Sequence, residues 1–157
     1  MVDLQNPMPG INWNSLQDEN DLLIWQRLTQ NYWIDTAIPL SNDLQSWAQL
    51  TDEEKLTTRK VFGGLTVLDF HQSAGAAEIM KHALTPHEEA VMSNLVFMEQ
   101  VHAKSYSSIF STLNSTEEIN ETFRWITEDE HLQRKIQTIN KYYVEGVGLK
   151  GLEKPKK

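Results

Sequence analysis

Between about residues 16 and 143, apolar and polar positions follow the three- and four-residue spacing of amphipathic helices joined by short breaks. Phe62, Leu65, Asp69 and Gln72 share one face of one such stretch. Leu95, Glu99, His102, Tyr106, Ile109 and Leu113 share one face of another. A first helix is expected over Asp18–Trp33, followed by an irregular stretch, IDTAIPLSND, broken at Pro39. Thr51 and Glu54 form a capping box that opens a long helix reaching about His82. Gly63, Gly64 and Gly75 lie inside it. Each costs about 1 kcal/mol relative to alanine, so they are expected to mark a close helix neighbour or a local irregularity. Thr85, Pro86 and Glu88 open a second long helix running to about Leu113. Ser115 with Glu118 opens a third, to about Thr127, and a last one is expected over Glu130–Tyr143. Strand signals are weak. The expected fold is an all-α bundle around two helices much longer than the usual roughly 10–14 residues.

Composition narrows the function classes. The chain has 157 residues, one ordinary domain in size, and its 39% hydrophobic content suits amphipathic helices. It has no cysteine, which excludes disulfides, thiolate metal sites and a cysteine nucleophile. The net charge of -8 disfavours binding to nucleic-acid phosphates, so no nucleic-acid partner is expected. The one basic cluster, Lys154, Lys156 and Lys157, reads as a solvated end. The start, MVDLQNPMPG, has neither a basic run nor an apolar run, and no stretch approaches the roughly 20 apolar residues that span a bilayer. A cytoplasmic protein with no membrane partner is the expectation. Residues 1–15 read as an N-terminal extension and residues 144–157, VEGVGLKGLEKPKK, as a disordered tail.

The chemistry concentrates in NLVFMEQVHAKSYSSIF, residues 94–110. At about 100° per residue, Glu99, His102 and Tyr106 fall within roughly 60° of one another. Burying a carboxylate on an apolar face is costly unless something pairs with it. A metal ion satisfies a glutamate and a histidine placed three apart, one supplying oxygen and the other nitrogen. The same E-x-x-H spacing occurs at Glu128 and His131, but in the acidic segment ITEDEHLQRK, where charges near a helix start are solvated and favourable. Asp69 interrupts an apolar stripe in the same way as Glu99, and two roles fit it. It is either an acceptor for a buried tyrosine or tryptophan, or a carboxylate ligand facing Glu99 and His102. His71, two residues on, points elsewhere, and His82 and His87 flank a loop and are expected to be exposed. Trp33 passes as a core residue on composition alone. Neither a phosphate-cradling glycine loop nor H-E-x-x-H is present.

PHEEAVMSNLVFMEQVHAKSYSSIFSTL resembles the radical-site helix of class Ib ribonucleotide reductase small (beta) subunits. QNYWIDTAIPLSNDLQSW and VFGGLTVLDFHQ resemble that family's preceding segments, in order and at the right separation. The likeness covers roughly residues 12–143 and resembles the family's N-terminal half, whereas residues 144–157 do not resemble the family. It implies a partial ferritin-like helical domain over residues 16–143 and a dinuclear iron or manganese centre. It also implies that Asp69 is a terminal carboxylate of the first metal, that Glu99 bridges the two metals and that His102 completes the first. Tyr106 would carry the stable radical, and Trp33 would lie on the radical's route to the large subunit. One imidazole with oxygen-rich ligands suits iron or manganese better than structural zinc.

The family takes its second metal's ligands from two later helices, which have no counterpart in this sequence. The expectation is therefore a small-subunit segment for deoxyribonucleotide synthesis, inactive alone or needing a complementary C-terminal half. Its implied partners are the large subunit, a second copy of the chain as homodimer, and a small flavoprotein activator. Two other classes compete: a non-catalytic helical interaction protein or remnant, and ferritin-type iron storage. The tyrosine one turn beyond the histidine counts against storage.

Overall fold

The computed structural model describes residues 10–148. Among them there are six α-helices and no strand: α1 Glu19–Gln30, α2 Leu44–Gln49, α3 Asp52–Met80, α4 Pro86–Leu113, α5 Thr116–Glu128 and α6 Glu130–Gly148. Two short 3-10 turns, Asp35–Ala37 and Leu40–Asp43, sit on either side of Pro39. The basic cluster at Lys154–Lys157 and the first nine residues lie outside the described part.

The helix starts follow from local chemistry. At Thr51 the hydroxyl accepts from the Glu54 backbone N–H, and the Glu54 carboxylate accepts from the Thr51 N–H at 2.8 Å. Ser115 and Glu118 repeat the arrangement. At Thr85 the box opens one residue earlier: the Glu88 carboxylate accepts from the Leu84 N–H at 2.7 Å instead. Asp129 ends α5 and begins α6, accepting from the Leu132 N–H at 2.8 Å and the Trp125 indole N–H at 3.1 Å.

Three boundaries differ from expectation. α1 stops at Gln30, not Trp33, because the Asn31 side chain donates to the Arg27 carbonyl at 2.9 Å and closes the last turn. The stretch expected to be irregular, residues 34–43, holds the two 3-10 turns, and α2 follows it before Thr51. α6 runs on to Gly148, through residues assigned to a tail, and Lys141 and Glu145 pair at 3.6 Å across its last turns. Residues 149–157 lie outside the described part.

α3 and α4, of 29 and 28 residues, form an antiparallel pair at the centre, each about 42–44 Å long at 1.5 Å per residue. α1 packs on α4, while α5 and α6 pack on α3. Buried between them are Leu68 and Ala76 of α3, Met98, Val101 and Phe110 of α4, Ile126 of α5 and Ile136 of α6. Arg59 ties α3 to α5 through a 2.7 Å ion pair with Glu118.

The glycines of α3 divide by what lies above them. A Cβ at Gly63 would meet Thr122 and Ile126 of α5 at 2.9 and 3.1 Å, and one at Gly75 would strike the Tyr143 ring of α6. At Gly64 a Cβ would make only an ordinary 3.8 Å contact with Leu132. Gly64→Ala is therefore expected to stabilise the protein by up to about 1 kcal/mol. Gly75→Ala is expected to destabilise it by about 1–3 kcal/mol, by displacing Tyr143 and loosening α6. Urea unfolding of the two variants measures both, and equal effects would contradict this account.

Candidate metal centre

The antiparallel register of α3 and α4 decides what meets. Ser73 of α3 donates its hydroxyl to the Val96 carbonyl of α4 at 3.0 Å. One turn back along α3, Asp69 comes opposite Glu99 and His102. Two turns further back, Phe62 comes within 5.7 Å of Tyr106, ring centre to ring centre. The spacing on α4 sets which side chains share a face, and the hairpin brings α3 to that face.

One carboxylate oxygen of Asp69, one of Glu99 and one imidazole nitrogen of His102 all lie within 4.8 Å of one another. His102 Nδ1 is 3.3 Å from Glu99 Oε2 and 3.8 Å from Asp69 Oδ2. Asp69 is 8% exposed. The Gln72 amide donates to its Oδ1 at 3.3 Å. Among the described residues no lysine or arginine pairs with either carboxylate. A buried and a half-buried acidic group facing one imidazole are unfavourable as an isolated set. A divalent cation relieves this. Bonds of about 2.0–2.2 Å to oxygen and nitrogen hold opposed ligand atoms of one ion at most about 4.4 Å apart and adjacent ones about 3 Å apart, so the three side chains would close inward on an ion. The donor set thus fits one hard or borderline divalent ion. Among the described residues it is the single such group, and Glu128 and His131 are exposed and outside it.

Tyr106 lies one turn beyond His102, half-buried. Its hydroxyl is pushed up to about 12, first by burial and then by the charge and hydrogen-bonding pull of Asp69. The phenol is neutral at pH 7, and any loss of an electron from it must be accompanied by loss of that proton. Asp69 therefore faces the tyrosine and also belongs to the candidate ligand cluster.

Trp33 lies outside α1 and lays its ring on that of His102, with centroids 5.6 Å apart and planes 27° from parallel. His71 faces away from the cluster and accepts at Nδ1 from the Asn140 amide of α6, at 3.1 Å. His82 is exposed as expected, but His87 is not: it is 5% exposed, edge-on to Trp13 at 4.7 Å, with Nε2 3.1 Å from the Asn12 carbonyl. Residues 12–13 fold back over the start of α4, a long-range contact with no local signal. Leu95, expected on the inner stripe, is 36% exposed, so the ligand face of α4 is uncovered at that end. Sequence reasoning also missed Tyr143, whose hydroxyl is raised by burial and then by the charge of Glu99. Gly75, the small residue beneath its ring, was the one available hint.

Two long antiparallel helices that converge acidic and imidazole groups beside a tyrosine define a class, the helical bundles that build metal sites from inward-facing carboxylates and E-x-x-H. Comparison with known proteins narrows it: residues 10–154 match the family model described as "Ribonucleotide reductase, small chain", and the chain belongs to that family. The match continues past Tyr143. The chain is 58% identical over 135 residues to the ribonucleoside-diphosphate reductase subunit beta of Mycobacterium leprae, covering 85% of this chain and 42% of that protein. It is 52% identical over 135 residues to the ribonucleoside-diphosphate reductase 2 subunit beta of Escherichia coli, with the same coverage. Its fold matches the dimanganese(II) NrdF of Streptococcus sanguinis with a TM-score of 0.84 at 51% identity, over 89% of this chain and 50% of that one. The fold is therefore ferritin-like, and the chain spans about 42% of the length of these curated relatives. Among the described residues, no helix is long and apolar enough to cross a membrane.

Proposed function

We propose that this chain provides one side of the radical-generating centre of a ribonucleotide reductase small subunit. The observation that carries the reading is the cluster itself: three ligand atoms within 4.8 Å, with a phenol one turn away. Asp69 would hold the first metal as a terminal carboxylate, His102 would complete that metal's set here, and Glu99 would be shared with a second. The metal is iron or manganese, and a dimanganese relative of 51% identity keeps manganese in play. Once charged by an external oxidant, a bound metal pair would supply the oxidising power for one-electron oxidation of Tyr106. Asp69 is placed to take the phenol's proton in that step, and Phe62 shields one side of the ring. Trp33, stacked on His102, is the proposed exit for the radical toward the large subunit.

Three ligand residues satisfy one ion, and the His102 side chain is 35% exposed. A second metal and a dry interior both call for further protein, either a complementary segment or another chain. The large subunit, a second copy and a flavoprotein activator are the proposed partners, and the cytoplasm the proposed setting. The exposed rings of Phe70, Phe97 and Phe123 also favour a second reading, a helical interaction protein. A monomer on size-exclusion chromatography that ignores both a complementary segment and the large subunit argues against both readings.

Electron paramagnetic resonance tests the proposal. Loaded with iron(II) or manganese(II) and oxidant, the chain alone is expected to show no stoichiometric dinuclear centre and no tyrosyl radical. Adding a polypeptide that carries the family's remaining ligand helices is expected to restore both, and Tyr106→Phe to remove the radical again. A radical that survives Tyr106→Phe would overturn the assignment.

A further inference from the structure

The segment after α1 lies along α4, step for step. Tyr32 stacks on Phe97 at 6.2 Å with planes 12° apart, and Trp33 stacks on His102. Two residues on, Asp35 Oδ2 accepts from Lys104 Nζ at 3.2 Å and from Ser108 Oγ at 3.1 Å. Lys104 Nζ also donates to Ser108 Oγ at 2.9 Å, closing a triangle. Lys104 and Ser108 are one turn apart on α4, and the same turn of helix carries Tyr106. The Asp35 side chain is 21% exposed, although Lys104 reaches it from solvent. The Lys104 ammonium bonded to Asp35 holds that carboxyl below the usual carboxylate range, so the acceptor is charged at neutral pH.

The aromatic contacts do not fix this segment alone. Tyr32 and Phe97 are both largely exposed, and among the described residues no hydrogen bond holds the Trp33 indole. Asp35 opens the 3-10 turn Asp35–Ala37, and Ile34 before it is extended. One extended residue therefore separates the charged anchor from the indole, so the anchor's position sets the ring's position.

We infer that Asp35 is a positioning residue: its bonds to Lys104 and Ser108 hold the Trp33 ring flat on His102. The consequence for radical transfer rests on the roles proposed above for Trp33 and His102, whereas the clamp itself does not. The stack needs a fixed distance and angle between two rings. A short charged tether supplies that where a half-exposed aromatic strap does not.

Nitrogen-15 spectra of the indole N–H groups test it on the whole chain. Five tryptophans give five signals, and Trp33→Phe identifies one. In the wild type this signal is expected to shift on His102→Ala, which removes the ring beneath it. In Asp35→Ala, and in Lys104→Ala/Ser108→Ala, it is expected to move and to lose its response to His102→Ala, with helical circular dichroism unchanged. Exchanging the charges, Asp35→Lys with Lys104→Asp, is expected to recover part of the shift. Manganese(II) titration adds a second readout. Bound ion is expected to broaden the Trp33 signal before the other four, and Asp35→Ala to abolish that selectivity while leaving manganese(II) affinity unchanged. A Trp33 signal that stays in place in Asp35→Ala and still answers to His102→Ala overturns the inference. Failure of the wild type to bind manganese(II) overturns the metal reading instead, and the metal-free shifts still decide the clamp.

Discussion

Asp69→Asn and Glu99→Gln are each expected to cut manganese(II) or iron(II) affinity well beyond the roughly 10–100-fold typical of losing an outer partner of a metal ligand. Both remove a charge from a three-residue set, and one divalent ion has little else here to hold it. The same substitutions are expected to leave the metal-free protein as stable as before, or more so. Asp69 is buried with a long 3.3 Å bond from Gln72 and an imidazole 3.8 Å away. Such a charge costs folding energy, and its neutral amide costs less. The loss of metal affinity separates a ligand from a structural acceptor. If Asp69 served only to accept a hydrogen bond from Tyr106, Asp69→Asn, whose amide oxygen still accepts, would leave metal affinity alone. Isothermal titration with manganese(II), paired with urea unfolding of the metal-free chain, reads both quantities.

Phe110→Ala is expected to lower the unfolding free energy by about 3–5 kcal/mol. Phe110 is 1% exposed, the most completely enclosed large side chain among the described residues. It meets Phe123 of α5 edge-on at 6.0 Å, an arrangement that adds about 0.5–1.5 kcal/mol to the burial itself. Few apolar side chains of this chain are buried as deeply. Losing this one removes a large part of a small core and frees α5 from α4. Phe123 is 40% exposed, so Phe123→Ala is expected to cost far less. Urea unfolding followed by circular dichroism decides it. A cost below about 1 kcal/mol for Phe110→Ala, inside the range of ordinary substitutions, would show that the core lies elsewhere.

Much of the fold was legible because its signals are local. Thr51 with Glu54 and Ser115 with Glu118 cap helices through bonds spanning three residues, and the structure contains both boxes. The two E-x-x-H pairs were separable by surroundings: Glu99 and His102 sit among apolar neighbours, Glu128 and His131 among charges. Elsewhere local reasoning failed for identifiable causes. Trp33 looked like the end of a helix because nothing nearby announced that Asn31 would turn its side chain onto Arg27. His87 looked exposed because its partners, Asn12 and Trp13, lie more than seventy positions earlier. The Asp35 clamp spans a similar separation.

The sharing of one face by Glu99, His102 and Tyr106 follows from the sequence alone. Helical geometry is set by the backbone within a turn, so a spacing of three and four carries its own outcome. The approach of Asp69 to that face is a different kind of fact. It depends on how far α3 is slid along α4, which is set by the Ser73–Val96 bond and by the burial the two helices share. A slide of one turn would move Asp69 by about 5.4 Å and part it from Glu99 and His102. Distances within a helix are properties of a short stretch of chain. Distances between helices are properties of the packed whole, and only the tertiary structure decides them.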